Sequence, residues 1–346
     1  MDPQRTQAYE ELEGRIGNTP LVRFEGRIPN GNSIWIKREC DNPFGSHYDR
    51  VYLALFRHSE ELGKIQPGAK VIETTSGAAG ASFAGIGKLL GYECFVALPA
   101  GGERAREEAI REHLRSPDHL IFTAADRYIS GFPAFLRHFL AEHRDLFFMN
   151  HSMGPRDTST ELFSNNEVTL NGMEGIGRES LGQIDVDYFI PAVGNGSSVL
   201  GPGRALKHGT KIVPFEPFQS AVAYDLMYPG RYYTRFGILP GTLPRHRLPG
   251  TSYPGIDFPH IRNAVHGWLI EDIILVSDAK TDQEYEQVTG RQDTWRLPHW
   301  DVLFPGHEDL GRTGRAGIAV ALRLAEKATG KNFLVIAYDK ASRYDS

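Results

Sequence analysis

The chain has 346 residues, of which 40% are hydrophobic and 23% are charged, as in ordinary globular proteins. This length exceeds what a single core usually fills, so two packed domains are expected. The 38 basic and 43 acidic residues give a net charge of −5 without a basic block, which argues against nucleic acid as a partner.

Residues 1–6, the apolar runs and the two cysteines indicate the cellular compartment to expect. Residues 1–6 are polar, and the sequence contains no apolar run approaching ~20 residues, so we expect a cytoplasmic protein that does not enter a membrane. Cys40 and Cys94 are each flanked by strand-like sequence. We expect both to be small core residues and predict neither a disulfide framework nor a metal site.

Strand-like and helix-like segments alternate along the chain. In the first half, strands are predicted at 34–38, 71–74 and 92–98, and helices at 50–62, 81–90, 103–114 and 135–143. In the second half, strands are predicted at 187–192 and 212–215, and helices at 202–208 and 316–322. This alternation is typical of parallel βαβ units and predicts an α/β fold.

Two segments lack either periodicity. Residues 218–259 are rich in proline, glycine and aromatic residues, and residues 289–311 are similarly irregular. We expect the first to be an irregular excursion that closes over a site or packs at a dimer interface, because clustered surface tyrosines are typical of interfaces.

One short motif follows the strand at 34–38. It reads N-P-F-G-S-H-Y-D-R over residues 42–50. It resembles N-P-x-G-S-x-K-D-R, the cofactor-anchoring turn of the cysteine synthase and cystathionine β-synthase family, which are fold-type II enzymes that use pyridoxal phosphate (PLP). Further segments resemble that family in the same order: I-G-N-T-P-L-V at 16–22, T-S-G-A-A-G at 75–80, G-N-G-S-S at 194–198, E-P at 216–217 and T-G-R followed by a helix at 313–322.

This resemblance implies an architecture. The family has two three-layer α/β domains with the site in a cleft between them, and it is homodimeric. By this likeness residues 1–45 and 151–346 form a large domain with the phosphate loop, and residues 46–150 form a small domain with the substrate carboxylate loop.

The resemblance also implies site residues. Gly194, Asn195, Gly196, Ser197 and Ser198 fall on the loop that cradles the cofactor phosphate, and Thr313 falls on the residue that binds the pyridine nitrogen. Thr75, Ser76, Gly77, Ala78 and Ala79 fall on the loop that holds the substrate carboxylate, and Lys340 falls near the pyridine end of the pocket. Backbone N–H groups at such loops favour anions. The structural alternatives are tight turns that need glycine, and a solvent-facing Lys340.

Two departures from the family pattern touch the cofactor ring. Tyr48 stands where the family has its Schiff-base lysine, and Ala78 replaces an asparagine that contacts the ring. Only a primary amine condenses reversibly with the PLP aldehyde, and a phenol does not. PLP is therefore implied by family resemblance and opposed by both substitutions, so a chain without a cofactor is the alternative.

Tyr48 has three interpretations. It is a general acid or base if His47, Asp49 or Arg50 shifts its pKa toward neutrality, and His47 is the second catalytic candidate. Alternatively, its ring fills the old cofactor cavity, or its hydroxyl positions a ligand. The structural interpretation of its neighbours is that Asp49 caps the helix at 50–62 and Arg50 pairs with a carboxylate.

Three functional hypotheses follow. In the first, the scaffold is repurposed for lyase or transferase chemistry on a small anionic metabolite, amino-acid-like or phosphorylated, without a PLP–lysine aldimine. In the second, the chain is a catalytically silent pseudoenzyme that binds a metabolite or a protein partner. In the third, PLP binds without a covalent link and supports β-replacement or β-elimination of amino acids.

Overall fold

The computed structural model describes residues 3–152, 163–243, 245–251, 256–290, 294–297 and 304–345. The chain forms two compact units. Unit 1 comprises Met1–Thr19, Glu39–Gly172 and Ser342–Ser346, and unit 2 comprises Pro20–Arg38 and Met173–Ala341. The predicted domain boundaries at residues 45 and 150 stay a prediction. In the two units, residues 39–45, 151–152 and 163–172 group with residues 46–150.

The helices are, in chain order, α1 (Pro3–Glu13), α2 (Tyr48–Glu61), α3 (Ala78–Leu89), α4 (Arg104–Arg111), α5 (Phe132–Glu142), α6 (Phe163–Leu181), α7 (Ser197–Leu206), α8 (Val222–Met227), α9 (Arg231–Phe236), α10 (Pro259–His266), α11 (Asp282–Thr289) and α12 (Arg312–Ala325). The strands are β1 (Leu21–Arg23), β2 (Ser33–Lys37), β3 (Lys70–Thr74), β4 (Glu93–Pro99), β5 (Leu120–Thr123), β6 (Leu146–Phe148), β7 (Tyr188–Phe189), β8 (Lys211–Ile212), β9 (Phe215–Pro217), β10 (Ile274–Ser277), β11 (Trp295–Arg296) and β12 (Asn332–Ile336).

Unit 1 is built on a parallel sheet with strand order β5-β4-β3-β6. Val71 and Ile72 of the central strand β3 are fully buried, as expected of a strand covered on both faces. The carboxyl ends of parallel strands meet at one edge of a sheet. The loops that follow β3 and β6 therefore begin side by side, although about 75 residues separate them in sequence.

Unit 2 contains two sheets. The larger has strand order β1-β2-β12-β7-β8, in which β1 is antiparallel and the others are parallel, and the smaller is parallel with order β11-β10-β9. The strand predicted at 212–215 is only partly confirmed, because the chain forms β8 and β9 with residues 213 and 214 between them. The Val213 and Phe215 N–H groups still donate to the Phe189 and Pro191 carbonyls at 2.9 Å. Pro214, which has no N–H, lies between β8 and β9, and its carbonyl accepts from the Ile274 N–H at 2.9 Å.

Most predicted elements are confirmed within a few residues, including β2, β3, β4, α4 and α5. The prediction that 218–259 is irregular throughout was wrong, because α8 and α9 form there. Residues 244, 252–255, 291–293 and 298–303, within the two segments predicted to be irregular, lie outside the described residues. Tyr232 in α9 is fully buried and donates to the Phe218 carbonyl at 2.9 Å, so this tyrosine belongs to a core.

Cys40 and Cys94 are buried free thiols, which confirms their prediction as core residues. Within the described ranges, no helix combines the length and apolar character needed to cross a bilayer. The described part of the chain also holds no group of three or more His, Cys, Asp or Glu side chains arranged around a potential metal ion.

Candidate functional site

The turn before α2 is held by a buried ion pair. Glu39, fully buried, accepts from Arg50 at 2.7 and 2.9 Å, so the predicted Arg50–carboxylate pair is confirmed. Glu39 also accepts from the Thr19 hydroxyl at 2.6 Å. Ser46 then accepts from the Tyr48 N–H at 2.9 Å at the helix start. This network fixes the position of Tyr48 on the first turn of α2.

Asp49 does not cap α2, so that prediction was wrong. The helix already begins at Tyr48, and the Asp49 carboxyl instead accepts from the Phe44 N–H at 2.7 Å and the Ser82 hydroxyl at 2.5 Å. Burial raises the pKa of this carboxyl to about 7, and nearby Glu39 adds to the increase, against the opposing effect of the two hydrogen bonds. Asp49 thus joins the turn before α2 to the first turns of α3.

The Tyr48 ring is half-buried among aromatic and imidazole rings of unit 1. Its centroid lies 4.2 Å from that of His47 and 5.2 Å from that of His151, with the His151 ring nearly perpendicular at 86°. Tyr52, one turn further along α2, lies 6.4 Å away. The two predicted catalytic residues, Tyr48 and His47, are therefore in direct ring contact, together with a third titratable group that the sequence motif did not include.

That third group belongs to a buried polar network. Glu73 in β3 is fully buried, and its Oε2 lies 3.1 Å from His151 Nδ1 and accepts from the His151 N–H at 3.1 Å. Its Oε1 accepts from the Thr74 N–H at 2.8 Å. The Tyr52 hydroxyl lies 3.0 Å from His151 Nδ1, and burial raises the pKa of Tyr52 well above its usual value, with Glu73 and Tyr48 adding to the increase.

The predicted substrate loop, Thr75 to Ala79, connects β3 to α3 in the same unit. The Thr75 N–H donates to the Ala97 carbonyl at 3.0 Å, which extends the β3–β4 ladder by one residue. Gly77 has φ 148°, a conformation essentially restricted to glycine, and its N–H donates to the Thr75 hydroxyl at 2.9 Å. Helix α3 then begins at Ala78, so its first N–H groups have no carbonyl four residues earlier within the helix.

A guanidinium flanks this loop. A Cβ at Gly77 would lie 2.5 Å from Arg106 Cδ and 2.9 Å from its Nη1, so the arginine packs directly against the glycine Cα. Arg106 in α4 is only 4% exposed, and its guanidinium lies 4.7 Å from the centroid of the Tyr344 ring. Positive charge and a helix N-terminus therefore meet at the loop, an arrangement that favours a bound anion.

The predicted phosphate loop, Gly194 to Ser198, lies in unit 2 between β7 and α7. Gly196 has φ 95°, and a Cβ there would lie 2.5 Å from the Ile261 nitrogen at the start of α10. The Asn195 side-chain oxygen accepts from the Ser197 N–H at 2.9 Å and the Ser197 hydroxyl at 2.7 Å. The Ser198 hydroxyl donates to the Ala192 carbonyl at 3.3 Å. Several donors of the loop are thus occupied by the loop itself.

The remaining predicted residues also belong to unit 2. Thr313 is buried near the start of α12. Lys340 is half-buried after β12 and forms an isolated antiparallel bridge with Leu310. The structure therefore gathers Tyr48, His47 and the loop Thr75–Ala79 in unit 1, and places the other candidates in unit 2.

The residues present do not fit PLP held as the family resemblance implies. Tyr48 offers no amine, and Ala78 offers no hydrogen bond to the ring. In the Gly194 loop, Asn195 holds the Ser197 N–H and hydroxyl that a cofactor phosphate would require. We therefore derive no chemical step through this cofactor.

Sequence reasoning missed Glu73, His151 and Arg106. Glu73 has a local signal, since a charged residue interrupts the apolar strand β3. His151 and Arg106 have no such local sequence signal, because His151 comes to the site from the end of β6 and Arg106 from α4. Their proximity depends on the order of the strands.

Comparisons with known proteins agree with this architecture. The family model for pyridoxal-phosphate dependent enzymes matches residues 12–283. Cysteine synthase B of Escherichia coli strain K12 is 29% identical over 339 residues, which cover 96% of this chain and 93% of that protein.

Solved structures show the same fold. A hydrogen sulfide-producing enzyme of Fusobacterium nucleatum aligns with a TM-score of 0.73 and 22% identity over 96% of this chain and 99% of its own. O-ureido-L-serine synthase aligns with a TM-score of 0.72 and 20% identity over 96% of this chain and 92% of its own. The chain belongs to the pyridoxal-phosphate dependent enzyme family, and its cysteine synthase relatives and structural neighbours confirm the predicted fold-type II α/β architecture.

Proposed function

We propose that this chain is a small-molecule enzyme of lyase or transferase type that uses a cysteine synthase-like scaffold without a PLP–lysine aldimine. Its substrate is an anionic metabolite, amino-acid-like or phosphorylated, and Tyr48 is the general acid or base. The observation that carries this proposal is the joining of Tyr48 and the anion loop within unit 1, where Asp49 on α2 accepts from Ser82 on α3 at 2.5 Å.

The loop supports the choice of an anionic substrate. The helix dipole of α3 favours negative charge at its start, and the Arg106 guanidinium packs against Gly77. Since Arg106 is almost fully buried, its field at the loop is screened less than that of a surface arginine. A substrate carboxylate or phosphate at Thr75–Ala79 would be attracted by both.

Tyr48 supports the choice of acid–base chemistry. Its ring is half-buried and touches the two imidazoles of His47 and His151. A phenol in such surroundings transfers a proton to or from a bound ligand without an imine. The relatives whose names specify a product, such as cysteine synthase and O-ureido-L-serine synthase, suggest an amino-acid-like ligand.

A pseudoenzyme is the second candidate, and the Gly194 loop favours it. Because Asn195 already accepts from the Ser197 N–H and hydroxyl, these two donors need no ligand as a partner. In that case the chain would bind a metabolite at Thr75–Ala79, or a protein partner, without turnover.

The test begins with mass spectrometry of metabolites that copurify with the protein. Each candidate is assayed for turnover with wild type, with Tyr48→Phe and with Tyr233→Phe, which removes a hydroxyl from an exposed residue of unit 2. The acid–base role predicts a rate loss of about 100-fold or more in Tyr48→Phe alone.

Two outcomes would contradict the enzyme proposal. If Tyr48→Phe retains the wild-type rate while Tyr48→Ala loses roughly 3–5 kcal/mol of stability, the ring only fills space. If copurifying ligands bind but none is converted, the pseudoenzyme replaces the enzyme.

A further inference from the structure

Residues 343–345 belong to unit 1 and contact it at three places. The first contact is made by Arg343, whose Nη2 donates to the Phe44 carbonyl at 3.0 Å. Its guanidinium also lies beside Gly45, where a Cβ would be 3.2 Å from Nη2. Phe44 and Gly45 form part of the turn that precedes Tyr48. This segment therefore packs against the turn that carries the candidate acid or base.

The second contact places Asp345 at the start of α4. The Asp345 carboxylate accepts from the Arg104 N–H at 2.8 Å and from the Ala105 N–H at 2.9 Å. The Asp345 N–H donates to the Glu103 carboxylate at 2.8 Å. The first N–H groups of a helix have no carbonyl partner within it, and the helix dipole favours a negative charge there. Asp345 thus fixes the backbone of α4 immediately before Arg106.

The third contact joins Tyr344 to the Arg106 side chain. The Tyr344 ring is buried, and Arg106 Cζ lies over it at 4.7 Å from the ring centroid. The same side chain reaches Gly77 of the predicted substrate loop, where a Cβ would lie 2.9 Å from Arg106 Nη1. A guanidinium over an aromatic face is attracted by the ring, most strongly when both groups are shielded from water. An aromatic ring and a glycine backbone therefore both hold this arginine at the loop.

Holding an arginine in place favours the binding of an anion. A long side chain loses conformational freedom when it is fixed by a ligand, and this loss weakens binding. An arginine that is already fixed in the free protein has lost that freedom beforehand. Its planar fork of donors also matches two oxygens of one carboxylate, phosphate or sulfate.

We propose that Tyr344 is a positioning residue, which holds the Arg106 guanidinium beside Thr75–Ala79 so that this arginine binds an oxyanion there. Tyr344 acts on the anion through Arg106, and Asp345 supports it by fixing the start of α4. The inference rests on the proposed function for the anion site, and it adds the residue that sets the affinity of that site.

The first test reads the contact between the two side chains in the whole protein without a ligand. A proton above an aromatic ring is shifted to high field, so the Arg106 Nε–H is expected to show such a shift in nitrogen-15 spectra. Arg106→Lys assigns the resonance. Tyr344→Phe should retain the high-field shift and Tyr344→Leu should remove it, while Tyr233→Leu, at an exposed tyrosine of unit 2, should leave it unchanged. A shift that persists in Tyr344→Leu would overturn the proposal.

The second test measures the binding of inorganic sulfate at the loop, through the changes that a titration causes in the Ala78 and Ala79 N–H resonances. Arg106→Met is expected to raise the Kd for sulfate by about 10-fold or more, because the guanidinium is lost. Tyr344→Leu is expected to raise it by about 3-fold or more. Tyr344→Phe, which keeps the ring, and Tyr233→Leu should each change it by less than about 2-fold.

A double-mutant cycle separates a role through Arg106 from damage to the loop. In the Arg106→Met background, Tyr344→Leu is expected to change the Kd by less than about 1.5-fold, because the side chain that it positions has gone. Equal losses in both backgrounds would overturn the inference.

The same titrations distinguish this inference from the proposed function. A large effect of Arg106→Met together with a wild-type Kd in Tyr344→Leu would reject the role of Tyr344 and leave the anion site intact. A wild-type Kd in Arg106→Met, or no response of Ala78 and Ala79 to sulfate, would reject the anion site itself and the role of Tyr344 with it.

Discussion

Replacing Asp49 by asparagine should alter how the stability of unit 1 depends on pH. The carboxyl of Asp49 is fully buried and binds the Phe44 N–H and the Ser82 hydroxyl. Asparagine keeps both hydrogen bonds, because its oxygen accepts from Phe44 and its amide donates to the Ser82 oxygen. The substitution therefore removes the titration and preserves the shape.

The magnitude follows from the pKa of Asp49, which burial raises from an ordinary 3.8 to about 7. Between these values the unfolded chain has lost the proton that the folded chain still holds, so stability falls as the pH rises. A difference of about three pH units at ~1.4 kcal/mol per unit gives a loss of up to about 4 kcal/mol, complete above about pH 7.

The assay is a urea titration at several pH values from 4 to 8. Unfolding is followed by hydrogen exchange of β3 and β4 peptides, which report on unit 1 alone. The free energy of unfolding of Asp49→Asn minus that of wild type should rise with pH and level off above about 7. Asp126→Asn, at an exposed position of the same unit, should show no such rise. A difference for Asp49→Asn that stays flat or falls with pH would show that the folded protein does not hold the Asp49 proton more tightly than the unfolded chain.

Three further substitutions test the packing of the site. Gly77→Ala should destabilise unit 1 by about 2–4 kcal/mol, because φ 148° disfavours any side chain and the new Cβ meets Arg106. The control Gly63→Ala, with φ 66° and open space around the new Cβ, should cost about 1–2 kcal/mol. Equal costs in urea titrations would contradict close packing of Arg106 against Gly77. Arg50→Met should lower the free energy of unfolding by about 3–5 kcal/mol, because it leaves Glu39 buried without its cation. The control Arg104→Met, at an exposed ion pair, should lower it by about 0.5 kcal/mol. A small effect of Arg50→Met would show that the Arg50–Glu39 ion pair does not hold the turn before α2. Asn195→Ala should cost unit 2 about 1 kcal/mol, because the Ser197 N–H and hydroxyl lose the side-chain oxygen that accepts from them. Thermal unfolding without any change would show that Asn195 does not stabilise this loop.

Local patterns in the sequence predict much of the fold. Strands β3 and β4 and helix α12 carry their periodicity in consecutive residues, so their position follows from pattern alone. The interruption at residues 213 and 214 was missed because an apolar run is equally compatible with one buried strand or with two short ones. Asp49 was misassigned as a cap because the first turn of α2 starts two residues earlier than its apolar pattern.

Local patterns in the sequence predict only some residues of the candidate site. Tyr48 and the loop Thr75–Ala79 stand in recognisable motifs, whereas Glu73 and His151 are 78 residues apart and meet only because β3 and β6 are neighbours in the sheet. Likewise, the interaction of Asn195 with Ser197 depends on a side-chain conformation that the loop motif does not specify. The Glu73–His151 contact depends on strand order and the Asn195–Ser197 interaction on side-chain packing, and a local sequence pattern specifies neither strand order nor packing.

We propose above that this scaffold operates without a PLP–lysine linkage. The most direct measurement incubates the purified protein with PLP, reduces it with borohydride and maps modified lysines by mass spectrometry. We expect no visible absorbance of an internal aldimine before reduction and no stoichiometric adduct at a specific lysine after it. A stoichiometric adduct on one lysine, at Lys340 or elsewhere, would show that PLP is linked to the chain and would identify the lysine that replaces the missing anchor.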